Sequence, residues 1–201
     1  MSGWLLAAIW RVERTLSTGL HLTSDEFDRM VACGAFDHLH RKIELIRGEL
    51  REMNPAGPLH DDLIMYLTSW SARSTSPDEI SVTAQTGLDL ANLDSRPEPD
   101  LLWVRAARYR DRHPSAEDVK LAIEVSHSSL QTDLREKAEL YAEAGIVEYW
   151  IVDASASCVH VFRHPQDKEY TDRSIANRGD RLSPLVTRDA VLDITDLFGN
   201  D

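Results

Sequence analysis

This sequence predicts a layered α/β (α+β) domain: a mixed central β-sheet flanked by helices. Three observations carry that expectation. Short strand-like runs alternate along the chain with segments of helical periodicity, the signature of a layered fold. A length of 201 residues with 42% hydrophobic content is enough for one domain with its own core. Lys120–Val125 is nearly continuous in apolar residues, which marks a strand covered on both faces at the centre of a sheet. The domain is expected over residues 22–201, with residues 1–21 as an N-terminal extension.

Taken in order, Thr23 or Ser24 followed by Asp25 and Glu26 begins a short helix that Gly34 stops. Two alternating runs between Ile43 and Met53, broken at Arg47-Gly48, read as an N-terminal β-hairpin. Leu59–Ala72 has helical spacing. Residues 79–90 read as a strand broken at Gly87. Arg96-Pro97-Glu98-Pro99 is held extended by its prolines and delivers the chain into a strand over Asp100–Val104. After the central strand, Thr132–Ala144 reads as a helix closed by Gly145. Tyr149–Val152 and Cys158–Phe162 are strands around a turn, and the tail alternates weakly.

Composition excludes several classes. A net charge of -12 argues against wholesale coating of nucleic acid, which leaves room only for a local basic strip. There is no run of 18 apolar residues, hence no transmembrane helix is expected and no membrane partner. Trp4–Trp10 is apolar but short and lacks a preceding Lys or Arg, unlike a signal peptide. Two cysteines, Cys33 and Cys158, make neither a disulfide framework nor a zinc knuckle, and His127, His160 and His164 show no zinc spacing. A reducing, cytoplasmic setting fits best.

Three charges stand where apolar residues are expected. Asp100 opens a strand, Glu124 lies inside Leu121-Ala122-Ile123-Glu124-Val125, and Lys137 lies on a helix face. At about 100° per residue, Leu130, Leu134, Ala138, Tyr141 and Ala144 share one face of that helix. Arg135, Glu136, Glu139 and Glu143 share the opposite one, whereas Lys137 falls among the apolar group with Asp133 at its edge. A lysine there either snorkels out or meets an acid. Two carboxylates on adjacent strands, with the carbonyl of Val125, are hard oxygen donors for Mg²⁺ or Mn²⁺. A lysine beside them can position water or stabilise developing negative charge. This is apparatus for metal-dependent phosphodiester hydrolysis.

Pro99-Asp100, Glu124-Val125-Ser126, Asp133-x-x-x-Lys137 and Tyr141-Ala142-x-x-Gly145-x-x-Glu148-Tyr149-Trp150-Ile151-Val152-Asp153 together resemble the Uma2 family, formerly DUF820. Glu44-Leu45-Ile46-x-Gly48-Glu49-Leu50 and Pro58-x-His60 extend the likeness upstream, to roughly residues 22–195. The resemblance implies a PD-(D/E)XK restriction-endonuclease-like core and a Mg²⁺-dependent endonuclease acting on DNA. It implies metal ligation by Asp100, Glu124 and Val125, with Glu44 as a further acid. On the residues alone, Glu44 faces either solvent or the site. The superfamily lysine normally lies two residues after the acid, where Ser126 stands here, and Lys137 would take its place. His60, Ser126 and Asp133 are expected to line the site, with Ser126, Ser128 and Ser129 capping the following helix. Arg105, Arg108, Arg110 and Arg112 are the candidate phosphate strip, or else a solvated loop. A homodimer is expected, since cutting a duplex takes two sites or two events. The competing readings are a catalytically silent binding or dimerisation module of the same fold, and a hydrolase of small phosphate esters.

Overall fold

The computed structural model describes residues 19–53 and 57–199, so most of the expected extension, residues 1–21, lies outside it. Helix α1 (Ser24–Ala32) starts where the capping signal placed it. The Glu26 N–H donates to Thr23 Oγ1 and the Thr23 N–H donates to Glu26 Oε2, a capping box that satisfies two orphan donors. The hairpin is β1 (Ile43–Ile46) and β2 (Glu49–Glu52). Arg47 and Gly48 both take positive φ, 50° and 77°, as a two-residue hairpin turn requires. One strand of it is buried: Glu44, Leu45 and Ile46 face inwards, whereas β2 faces solvent. Leu45 exchanges backbone hydrogen bonds with Arg96, which docks the hairpin on the proline-fixed approach to Asp100.

Helix α2 (Pro58–Ser74) has proline in its first turn, where a missing N–H costs nothing. Six strands form the main sheet in the order β3-β4-β5-β6-β7-β8. They are β3 (Ile80–Ala84), β4 (Leu101–Arg105), β5 (Val119–Ser126), β6 (Glu148–Asp153), β7 (Cys158–Gln166) and β8 (Glu169–Asn177). Only β5 and β6 run parallel; the other pairs are antiparallel. The β5–β6 crossover is helical: α3 (Leu130–Thr132), a π-helical turn over Asp133–Lys137, and α4 (Ala138–Glu143), ended by Gly145 at φ 80°. The pair β9 (Arg181–Leu182) and β10 (Leu192–Asp193) leads into α5 (Ile194–Phe198).

Alternation along β5 sorts the core. Leu121, Ile123 and Val125 pack with Trp103, Trp150 and the α2 residues Leu63, Leu67 and Trp70 on one face. Ala122 packs with Leu102, Tyr149, Ala138 and Tyr141 on the other, under the crossover helix. Among the described residues, no helix is long and apolar enough to cross a membrane.

Three expectations are corrected. The strand expected over residues 79–90 ends at Ala84, because Gln85 turns the chain at φ 49°. The crossover helix starts at Leu130 rather than Thr132 and carries a π turn, seen in the Ala138 N–H donating to the Asp133 carbonyl. The weakly alternating tail contains a nine-residue edge strand, β8, in which only Tyr170 and Ala176 are buried, so its pattern is too sparse to read.

Candidate active site

Leu101 pairs with Ile123, so Asp100 stands one step further along, opposite Glu124. Both side chains therefore share the sheet face that the crossover helix covers. Asp100 Oδ2 accepts the Val125 N–H at 2.8 Å, so the acid stands in for a strand partner where β4 begins. His60, in the first turn of α2, brings Nε2 to 3.3 Å from the same oxygen. That contact raises the His60 pKa, against the opposing pull of burial.

Glu124 Oε1 accepts from Lys137 Nζ at 2.9 Å and from the Tyr141 hydroxyl at 3.0 Å. Lys137 Nζ also lies 3.5 Å from Glu44 Oε2, which accepts the Glu98 N–H at 3.4 Å. Asp133 Oδ2 accepts from the Ser129 hydroxyl at 2.7 Å. Ser129 therefore spends its hydroxyl on a carboxylate, and its side chain makes no cap hydrogen bond at the helix N-terminus. Glu44, Asp100, Glu124, Asp133 and Lys137 are each 3–6% exposed, so the cluster is buried as a unit.

Burial dominates its electrostatics. It pushes Glu124 up to about 8, although the Lys137 ammonium opposes it, and it raises Glu44 and Asp133 as well. Burial alone would lower the Lys137 pKa, but Glu124, Glu44 and Asp133 more than compensate, and Lys137 stays a cation. Four carboxylates thus face one ammonium and one imidazole. The donors are hard oxygens, and the acids outnumber the bases, the set that suits Mg²⁺ or Mn²⁺ once it displaces their protons.

The cluster forms one wall of a cleft of about 990 Å³ between the hairpin, α2 and the β5–helix junction. Glu44, Asp100, Glu124, Val125, Asp133 and Lys137 all line it, as does His60. Ser126 does not; it lies fully buried, its hydroxyl 3.2 Å from that of Ser129. The arginine segment also lies elsewhere. Arg105 stands at the far end of β4 from Asp100, and it and Arg112 pair with Asp118 at 2.8 and 2.6 Å. Arg108 and Arg110 are exposed.

Sequence reasoning missed two sets of residues. Tyr141 was legible only as an apolar-face residue, yet its position one turn after Lys137 aims it at the same acid. Arg41, Lys42 and Arg51, which line the cleft from the hairpin, gave no local signal, because only the hairpin's docking brings them there.

A family model, Uma2, described as "Putative restriction endonuclease", matches residues 24–195. The chain is similar in fold to a solved "putative nuclease belonging to DUF820" from Anabaena variabilis ATCC 29413. The TM-score is 0.67 and the identity 19%, over 88% of this chain and 97% of that one. No curated protein matches.

Proposed function

The chain belongs to the Uma2 family, and from that premise we propose that it is a divalent-metal-dependent endonuclease that hydrolyses phosphodiester bonds in DNA. The observation that carries this reading is Lys137, held 2.9 Å from Glu124 and 3.5 Å from Glu44 beside Asp100, in a buried acid-rich wall that opens on a large cleft.

Asp100, Glu124 and the Val125 carbonyl, with Glu44 assisting, are the residues that would hold Mg²⁺ or Mn²⁺, which supplies polarisation of the phosphate and a more acidic water. Lys137 holds a fixed positive charge at the cleft wall, where it orients the attacking water or offsets charge developing on the phosphate. Tyr141 fixes the Glu124 carboxylate through Oε1, so that acid enters the reaction already oriented. His60 steadies Asp100 and is kept more readily protonated by it. Water adds to phosphorus, the P–O3′ bond breaks, and a proton passes to O3′, which leaves a 5′-phosphate and a 3′-hydroxyl. The cleft's size supports a polymeric substrate over a small phosphate ester. Cutting both strands of a duplex would need two such sites, as in a symmetric dimer.

The test is plasmid cleavage by the full chain with Mg²⁺ or Mn²⁺. Lys137→Ala should lose at least about a hundredfold in rate, with an unchanged circular dichroism spectrum. Arg135→Ala, on the exposed side of the same helix, should cut normally. A wild-type chain that cuts no DNA form with any divalent ion would sink the reading, as would a fully active Lys137→Ala.

A further inference from the structure

We infer that Asp153, Cys158 and His160 form a second, separate metal site: a three-ligand seat for a thiophilic divalent cation of the zinc class. The β6–β7 hairpin builds it alone. Asp153 pairs directly with Cys158 across the two strands, and His160 stands two residues further along β7, on the same face. Their ligand atoms, a carboxylate oxygen, Sγ and a ring nitrogen, all lie within 4.8 Å of one another. Linear spacing rules for zinc look for paired cysteines and histidines a few residues apart, so they pass over a set assembled by strand register.

The geometry converges on a point. Cys158 Sγ lies 3.9 Å from His160 Nε2, and Asp153 Oδ2 lies 3.8 Å from that same nitrogen. A nucleophilic relay would need the thiol and the carboxylate on opposite nitrogens of the ring. Here both approach Nε2, which is how donors surround an ion. Tetrahedral zinc, with bonds of about 2.0–2.3 Å, sets its ligands roughly 3.3–3.8 Å apart, so only a small contraction is needed. The carboxylate is already oriented for this. Its Oδ1 accepts the N–H groups of Ser155 and Ala156 at 2.9 and 3.0 Å, which points Oδ2 at His160. Asp153 and Cys158 are buried, whereas the His160 side chain is 18% exposed, which leaves one side for a water as fourth ligand.

A sulfur, nitrogen and oxygen set selects zinc over Mg²⁺, the reverse of the all-oxygen cleft. The two sites are also apart. Glu124 pairs with Ile151 and Ile151 with His160, two strand spacings or about 10 Å. That is too far for a two-metal centre, whose ions lie about 4 Å apart. Occupancy would tie β6 to β7 at the corner where Asp153 pairs with Ser126 of β5.

Cobalt provides the test. The full chain, stripped of metal and titrated with Co²⁺ alone, should develop a thiolate-to-cobalt charge-transfer band that saturates at one ion per chain. Added Zn²⁺ should erase the band and Mg²⁺ should not. Cys158→Ser and His160→Ala should each lose the band with their circular dichroism unchanged. Cys33→Ser and Asp100→Asn should keep it. His160 is partly exposed, so its variant remains informative if Cys158→Ser fails to fold. Absence of the band in the wild-type chain, or its persistence in a folded His160→Ala or Cys158→Ser, overturns the inference.

Discussion

Glu124 and Glu148 are both buried acids on neighbouring strands of one sheet, yet their surroundings are opposites. Glu148, fully buried, accepts from Trp150 Nε1 at 2.8 Å, from Arg163 Nε at 2.8 Å and from the Leu185 N–H at 2.6 Å, and forms an ion pair with Arg163 Nη2 at 2.7 Å. One acid is saturated by donors from three segments, and the result is a structural joint between β6, β7 and the C-terminal loop. Glu124 has two donors and shares its wall with three further acids. Such an acid excess is unfavourable in the bare protein and favourable once a cation arrives. The comparison separates buried charge that serves the fold from buried charge that, on the proposed reading, a cation would balance.

The largest effects should come from neutralising one acid in each region. Asp100→Asn should reduce metal-dependent cleavage at least about a thousandfold. It should also stabilise the metal-free chain by about 1 kcal/mol, because relief of the repulsion with Glu124 outweighs the weakened contact with partly exposed His60, while the amide oxygen keeps the Val125 hydrogen bond. Glu148→Gln should instead cost about 3 kcal/mol, because it removes the charge from the fully buried end of the pair with half-buried Arg163, and cleavage per folded molecule should persist. Denaturant melts with matched rate assays measure both. Equal signs for the two stability changes would break the comparison.

The pH dependence of stability sharpens it. Glu124 is pushed from an ordinary 4.5 up to about 8, so across that window the native chain holds a proton that the unfolded chain releases. Stability of the metal-free protein should therefore fall as pH rises from about 4.5 to about 8, with Glu44 and Asp133 acting in the same direction. The raised pKa of Lys137 works only above its ordinary 10.5, outside this window. Asp118 does the opposite. Arg112, then the Ser115 N–H and Arg105, hold its carboxyl well below the usual range, so its stabilisation is lost only in acid. Thermal melts should show a decline towards pH 8 that saturating Mg²⁺ flattens, because a bound cation keeps the cleft acids ionised. A metal-free melting temperature that rises between pH 5 and 8 would contradict this.

The same distinction explains what could be read in advance. Lys137 was legible because a charge on an apolar helix face violates the helix's own pattern, and Glu124 because it interrupts an apolar strand. The capping box at Thr23 and the Arg47-Gly48 turn were equally local signals. Glu44 could not be decided from its hairpin alone, since the docking of Leu45 on Arg96 settles which way β1 faces. The π turn at Asp133–Lys137 has no sequence marker that we can identify. Glu148 stands in the motif beside Trp150, yet its role depends on Arg163 and Leu185, which are brought in by register and by a distant loop.

The smallest effect concerns where DNA would touch the surface on the proposed reading, and it tests whether satisfied charges are also silent towards phosphate. The arginine segment attracts notice in the sequence, but Arg105 and Arg112 are committed to Asp118, much as Arg163 is to Glu148. Arg41 and Lys42 line the cleft, and their partners, Glu52 for the first and Gln85 and Glu98 for the second, are not buried as Asp118 is. Exposed pairs of that kind contribute little and exchange readily for phosphate. Binding of duplex DNA by the Asp100→Asn chain should weaken only a few-fold in Lys42→Ala. Its log–log salt slope should drop by about one, the signature of one lost phosphate contact. Arg112→Ala should leave that slope unchanged and should instead lower stability, since it removes a cation from buried Asp118. If Arg112→Ala flattens the slope and Lys42→Ala does not, the interface lies on the arginine segment, and a charge already paired in the fold can still serve the substrate.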